Sequence, residues 1–100
     1  NVKGKFFLGR LMEKKGNLKE AMESYRAALR DDGNFVEARF RLGTLAMASK
    51  DLDAAAQAFN EILRNKAAGQ TYIELAAAKL DEIRQNTWNA QRPVDRLTSP

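Results

Sequence analysis

Residues 5–12 read KFFLGRLM, and residues 39–46 read RFRLGTLA. The two stretches share Phe, Leu, Gly and Leu at matching places. Laying residues 2–35 over residues 36–69 gives nine identities: Val2/Val36, Phe6/Phe40, Leu8/Leu42, Gly9/Gly43, Leu11/Leu45, Leu18/Leu52, Ala21/Ala55, Leu29/Leu63 and Arg30/Arg64. Unrelated segments of ordinary composition would share roughly two or three. Lys5/Arg39, Asn17/Asp51 and Tyr25/Phe59 are conservative pairs in the same alignment. A fixed period of this length marks a stack of similar supersecondary units.

Each unit reads as two helices, because apolar residues recur at helical spacing. The first helix is predicted over about Val2–Lys15, with Phe7, Leu8, Leu11 and Met12 on its stripe. Gly16 suits the left-handed position that ends helices. Asn17, with Glu20 three residues on, predicts a capping box for the second helix. That helix carries Leu18, Ala21, Met22, Tyr25, Ala28 and Leu29, and residues 31–34 end it. Asn34 and Glu37 predict the same box ahead of a third helix, from about Phe35 to Ser49. Asp51 caps a fourth, which carries Leu52, Ala55, Ala56, Phe59, Ile62 and Leu63. Gly9 and Gly43 fall mid-helix, where Gly costs about 1 kcal/mol against Ala. Such a cost at one repeat position implies a close approach, with the following helix pressing side chains on the glycines and Ala21 and Ala55 as reciprocal small positions.

A fifth helix starts after a loop at residues 65–69, with Thr71 and Glu74 as its cap pair. Tyr72, Ile73, Ala76, Leu80 and Ile83 form its stripe. Two registers fit. An offset of 34 puts Ile73, Ala76, Ala77 and Leu80 at the signature positions, and an offset of 33 puts Tyr72, Leu75 and Ala76 there. From about Asn86 the pattern is lost, and Pro93 blocks a continuing helix. The domain therefore reads as residues 1–86 (repeat one 2–35, repeat two 36–69, capping helix 70–86), with an irregular or partly helical tail over 87–100. Trp88 is expected either to pack back on the fifth helix or to dock on another chain.

These residues resemble the tetratricopeptide repeat, whose pattern is W-x2-L-G-x2-Y, then A-x3-F, then P, in a unit of about 34 residues. Unit one reads Lys5-x2-Leu8-Gly9-x2-Met12, then Ala21-x3-Tyr25, then Gly33. Unit two reads Arg39-x2-Leu42-Gly43-x2-Ala46, then Ala55-x3-Phe59, then Ala67. The departures are at the Trp, first aromatic and Pro positions. The resemblance implies an all-α fold of antiparallel helical hairpins in a right-handed solenoid, two repeats plus a capping helix. It also implies a concave groove lined by the first helix of each unit. The groove positions would be Lys3, Phe6, Arg10 and Glu13 from unit one, and Glu37, Phe40, Arg41, Thr44 and Met47 from unit two. Glu74 and Ala78 would come from the fifth helix. Phe6 and Phe40 share one repeat position and read either as groove anchors or as inter-helix core. Arg10 and Arg41 beside them suit carboxylates. The chaperone-binding members of the family grip a terminal carboxylate with Lys, Asn and Arg. Here the matching positions hold Phe6, Arg10, Arg41, Thr71 and Leu75, so that set is absent.

Composition narrows the function. The chain of 100 residues is 44% hydrophobic and 30% charged, which excludes a wholly disordered or low-complexity protein. It has no His and no Cys, which removes His acid–base chemistry, thiol nucleophiles, disulfides and Cys/His zinc sites. No phosphate-cradling Gly-rich loop is present. Residues 31–34 look like the start of a calcium loop, but Val36 and Leu42 stand where that loop needs Gly and Glu. The expectation is a non-catalytic protein-interaction module, with no metal and no cofactor. The chain starts at Asn1 without Met or a signal-peptide pattern and reads as a fragment or a processed product.

The net charge of +4 is concentrated in residues 1–30, which carry +5. A basic end suggests an acidic partner, and the expectation is another protein or peptide segment; no nucleic acid is expected, since no aromatic interleaving beyond Phe6 and Phe7 supports base stacking, and no apolar run is long enough for a membrane span. Two alternatives stand beside it. One is binding of an anionic partner by the basic face of Lys3, Lys5, Arg10, Lys14, Lys15 and Lys19. The other is self-association, or a place in a longer solenoid, with Phe7 and Leu11 of the first helix covered.

Overall fold

The computed structural model describes residues 1–90. They form five helices, α1 (Val2–Lys14), α2 (Leu18–Asp31), α3 (Val36–Ala48), α4 (Leu52–Arg64) and α5 (Gln70–Ala90), with no strand among the described residues. Short turns fold α1 on α2 and α3 on α4 as antiparallel hairpins. The hairpins stack through α2 and α3, and α5 lies on α4.

Both hairpin turns are built alike. Gly16 has φ +81°, and Lys50, at the same repeat position, has φ +67°. In the first turn the Gly16 N–H donates to the Glu13 carbonyl and the Asn17 N–H to that of Met12. Lys50 to Met47 and Asp51 to Ala46 repeat the arrangement, which satisfies the carbonyls left open at the helix end. Lys50 thus takes a left-handed conformation that Gly would adopt without steric cost.

The caps follow the sequence reading only in part. Asp51 accepts from the Ala54 N–H at 3.1 Å, as expected, and Asn1 does the same for Gly4 at 3.1 Å. Asn17 occupies the N-cap of α2, but its side chain makes no capping bond and turns back to the Met12 sulfur at 3.8 Å. Phe35, not Asn34, is the N-cap of α3. Asp32 Oδ1 accepts from the Asn34 N–H at 3.0 Å, and the Phe35 ring packs edge-on to Phe6 at 5.1 Å. This local turn and the aromatic contact delay the helix by one residue. Thr71 is likewise not a cap: it lies inside α5, and Glu74 accepts from Gln70 Nε2 at 3.0 Å instead.

Packing explains the mid-helix glycines. A Cβ on Gly9 would lie 2.5 Å from the Tyr25 ring, and one on Gly43 would lie 2.8 Å from the Phe59 ring. Tyr25 and Phe59 are fully buried, as are Ala21 and Ala55 four residues before them. Two apolar clusters result. The first joins α1, α2 and α3 through Phe6, Ala21, Tyr25, Ala28, Ala38 and Leu45. The second joins α3, α4 and α5 around Phe59, Ile62, Ala76 and Ile83. Met22 touches both.

The departures at the Trp position also acquire a reason. Lys5 Nζ bonds Asp31 Oδ2 at 2.5 Å, tying the start of α1 to the end of α2. Arg39, at the same repeat position, bonds Glu61 of α4 at 2.5 Å and the Gly33 carbonyl at 2.9 Å. Ion pairs join the hairpin arms at the positions where the repeat pattern has an aromatic ring.

The fifth helix runs into the stretch expected to be irregular or partly helical. α5 continues through residues 87–90 and carries Trp88 on its surface, 54% exposed. Nothing in the Asn86–Ala90 stretch breaks a helix, so loss of the apolar stripe alone does not stop it. Pro93 and the rest of the expected tail lie outside the described residues.

Gly43→Ala is expected to lower the melting temperature by several degrees, as is Gly9→Ala. Overpacking costs about 1–3 kcal/mol, against roughly 1 kcal/mol gained in helix propensity. Each kcal/mol moves the midpoint of a domain this size by about 4–8 °C. Gly4→Ala is the control, since its Cβ would meet nothing closer than 3.4 Å. Thermal unfolding followed by circular dichroism checks all three.

Candidate functional site

Residues of α1, α3 and α5 line an open cleft of about 480 Å3. Its lining is Phe6 and Arg10 from α1, Glu37, Phe40 and Arg41 from α3, and Tyr72 and Leu75 from α5. Five of these seven are residues that the resemblance implied for a groove, and Tyr72 and Leu75 are the two outside that set.

Three rings line the cleft: Phe6, Phe40 and Tyr72. Phe40 packs against Phe59 at 5.6 Å and against Tyr72 at 5.7 Å, edge-on to the latter. Phe6 packs against Tyr25 at 5.7 Å and is only 8% exposed. Phe6 is buried within the first apolar cluster, whereas Phe40 stays half-buried against the second, and both line the cleft. The difference arises from the neighbours: Phe35 closes over Phe6 from the inter-repeat turn.

Polar groups frame the cleft. Glu13, expected as a groove contact, instead joins three helices: the Tyr25 hydroxyl donates to its Oε1, and Arg41 Nη1 lies 3.8 Å from its Oε2. Burial raises the Tyr25 phenol above its ordinary value, and the Glu13 carboxylate adds to the rise. Arg41 is thus oriented from behind by Glu13, with its side chain 37% exposed. At the far edge of the first hairpin, the Lys5 ammonium holds the Asp31 carboxyl below the usual carboxylate range.

The other expected groove residues lie elsewhere. Lys3 is exposed on α1 but does not line the cleft. The Thr44 hydroxyl donates to the Arg41 carbonyl at 2.8 Å. Met47 packs against the second apolar cluster. Glu74 and Ala78 are exposed outside the cleft.

The register of α5 decides Leu75. Leu75 and Arg41 stand one full repeat apart and both line the cleft. Ala77 then occupies the place of Gly9 and Gly43, and it is exposed because no helix follows α5 among the described residues. This offset of 34 was one of the two registers open in the sequence, and the other, of 33, was the one that put Leu75 at a signature position. Tyr72 falls opposite Ala38, so no repeat position announces it.

A profile of the tetratricopeptide repeat matches residues 8–70. The chain belongs to the tetratricopeptide repeat family. No curated protein matches its sequence. Membership points to a protein–protein interaction scaffold, in a family that is typically non-catalytic. Among the described residues of this tetratricopeptide repeat chain, no cluster of carboxylates fits a metal ion. Nor is any described helix long and apolar enough to cross a membrane.

The Tyr25 shift gives a prediction in alkali. The neutral phenol is the form the fold favours. Its stabilising contribution is full below the ordinary phenol value of about 10 and is lost as pH rises above it. In a Tyr72→Phe background, tyrosinate absorbance is expected to rise only above that value and together with loss of helicity. Glu13→Gln removes the adjacent charge and is expected to bring the titration down toward the ordinary range. Parallel absorbance and circular dichroism titrations check both.

Proposed function

We propose that this tetratricopeptide repeat chain holds a segment of a partner protein in the α1–α3–α5 cleft. The recognised segment carries an apolar side chain next to an acidic group. The observation that supports this reading is the lining itself: Phe40, Tyr72 and Leu75 offer apolar surface, and Arg10 and Arg41 stand beside them. Aromatic and Arg residues are the types that most often dominate binding energy at interfaces. Glu13 behind Arg41 fixes the guanidinium, which reduces the ordering needed on binding. A carboxylate from the ligand pairs with the two guanidinium groups, and its neighbouring side chain covers the Phe40 and Tyr72 rings. The role is that of an adaptor, without chemistry.

Selection of a displayed peptide library on the chain tests this. Enriched peptides are expected to combine an aliphatic or aromatic residue with Asp or Glu. Leu75→Asp and Arg10→Ala, both outside the buried clusters, are expected to weaken the selected peptides about tenfold or more each. Peptides that bind both variants as well as they bind the parent chain would sink the cleft reading.

A further inference from the structure

The outer face of α1 carries a second feature, which meets the cleft only at Arg10. At 100° per residue, Phe7, Leu8 and Leu11 form a ridge on the side of α1 turned away from α2. They are 61%, 48% and 47% exposed, and a shallow depression of about 290 Å3 runs between Phe7, Arg10, Leu11 and Lys14. Lys3, Lys14 and Lys15 flank the ridge, and no carboxylate of α1 shares the face, since Glu13 turns inward to Tyr25. Among the described residues, none of these three lysines has a carboxylate at ion-pair distance.

The repeat itself indicates what such a ridge receives. Leu8 and Leu11 correspond to Leu42 and Leu45 of α3. In α3 those positions are covered by a helix. Leu45 is 5% exposed within a cluster that holds Ala21, Tyr25 and Ala28 of α2, and Leu42 packs against the same cluster. The surface on α1 is therefore of a kind that, once already in this chain, takes the apolar stripe of an antiparallel helical hairpin. The rim differs in one respect. The positions of Lys3, Lys14 and Lys15 hold Glu37, Ala48 and Ser49 in α3. The helix over α3 balances its charges, with Lys19, Arg26 and Arg30 against Glu20, Glu23 and Asp31. A neutral helix suits the α3 rim, and a cationic rim calls for an acidic one.

We propose that the outer face of α1 docks an acidic amphipathic helix of a partner protein, with its apolar stripe on Phe7, Leu8 and Leu11 and its carboxylates toward Lys3, Lys14 and Lys15. Two copies of this chain meeting α1 to α1 would set cation against cation, which disfavours a self-paired face. A bilayer surface would meet the same charges but has no use for a ridge spaced to match a helix. The ridge adjoins the cleft at Arg10, which borders both, while Phe7, Leu8 and Leu11 lie outside the cleft.

The test is a displayed library of helices of the length of α2, 14 residues. Its members keep the α2 apolar stripe and vary the rim among Glu, Ser and Lys. Selection on the 100-residue chain is expected to enrich Glu-rich rims. By fluorescence anisotropy the enriched helices are expected to bind Leu8→Asp/Leu11→Asp about tenfold or more weakly and to lose affinity as salt rises. Leu75→Asp in the cleft is expected to leave that binding unchanged. A second bait, Lys3→Glu/Lys14→Glu/Lys15→Glu, keeps the ridge and is expected to reverse the preference to Lys-rich rims. No enrichment, neutral or basic rims on the parent chain, or an unchanged preference on the reversed bait would overturn the proposal. So would dimerisation by sedimentation that the Leu8→Asp/Leu11→Asp pair abolishes, or tighter binding to vesicles of anionic lipid than to any selected helix.

Discussion

Everything in the molecule is arranged around the distance between the two helices of a hairpin. That distance is set where the Tyr25 ring lies on Gly9 and, one repeat later, where the Phe59 ring lies on Gly43. A helix backbone can come this near an aromatic ring only where no Cβ intervenes. The close approach buries Tyr25 and Phe59 completely, and the flanking Ala21 and Ala55 allow the same proximity from the opposite helix. Because the contact recurs at one repeat position, both hairpins have the same shape. Like hairpins stack, and residues of both first helices and of α5 line the cleft.

Electrostatics fix details that packing leaves open. Lys5–Asp31 and Arg39–Glu61 tie the arms of each hairpin at its open end, opposite the turns at Gly16 and Lys50. Lys5–Asp31 is exposed and contributes little stability, Arg39–Glu61 is partly buried, and both add direction to an otherwise non-directional apolar contact. Glu13 acts differently. It accepts from the buried Tyr25 hydroxyl and faces Arg41, so one carboxylate satisfies a core phenol and orients a cation at the cleft. Core and surface are thereby coupled, and a change at Glu13 bears on both.

The two sides of α1 have different characters. Toward the cleft it presents Arg10 and Phe6, beside groups from α3 and α5. Away from α2 it presents an apolar ridge with a rim of lysines. The +5 charge of residues 1–30 is therefore not spread evenly: Lys5 is engaged within the hairpin, and Arg10 adjoins the cleft. The remaining lysines of α1 frame the ridge.

The repeat period, the glycines and the Ala-x3-aromatic spacing were enough to specify the hairpins, because helical periodicity and close packing are local and repeat with the chain. Phe40, Arg10, Arg41 and Glu37 were expected at a groove only through the resemblance to the repeat family, and they line the cleft. Other features were decided only by tertiary contacts. Phe6 and Phe40 share a position, yet Phe35 encloses one and not the other. The caps expected at Asn17 and Asn34 gave way to a sulfur contact and a local turn. Glu13 became a junction because Tyr25 and Arg41 arrive from two other helices. Tyr72 reached the cleft from a helix whose register the sequence left open. The sequence by itself determined the repeated unit, since a period records what each helix needs from its neighbour. Only the tertiary structure decided which side chains of equivalent units face the cleft, since that depends on which neighbours each unit has.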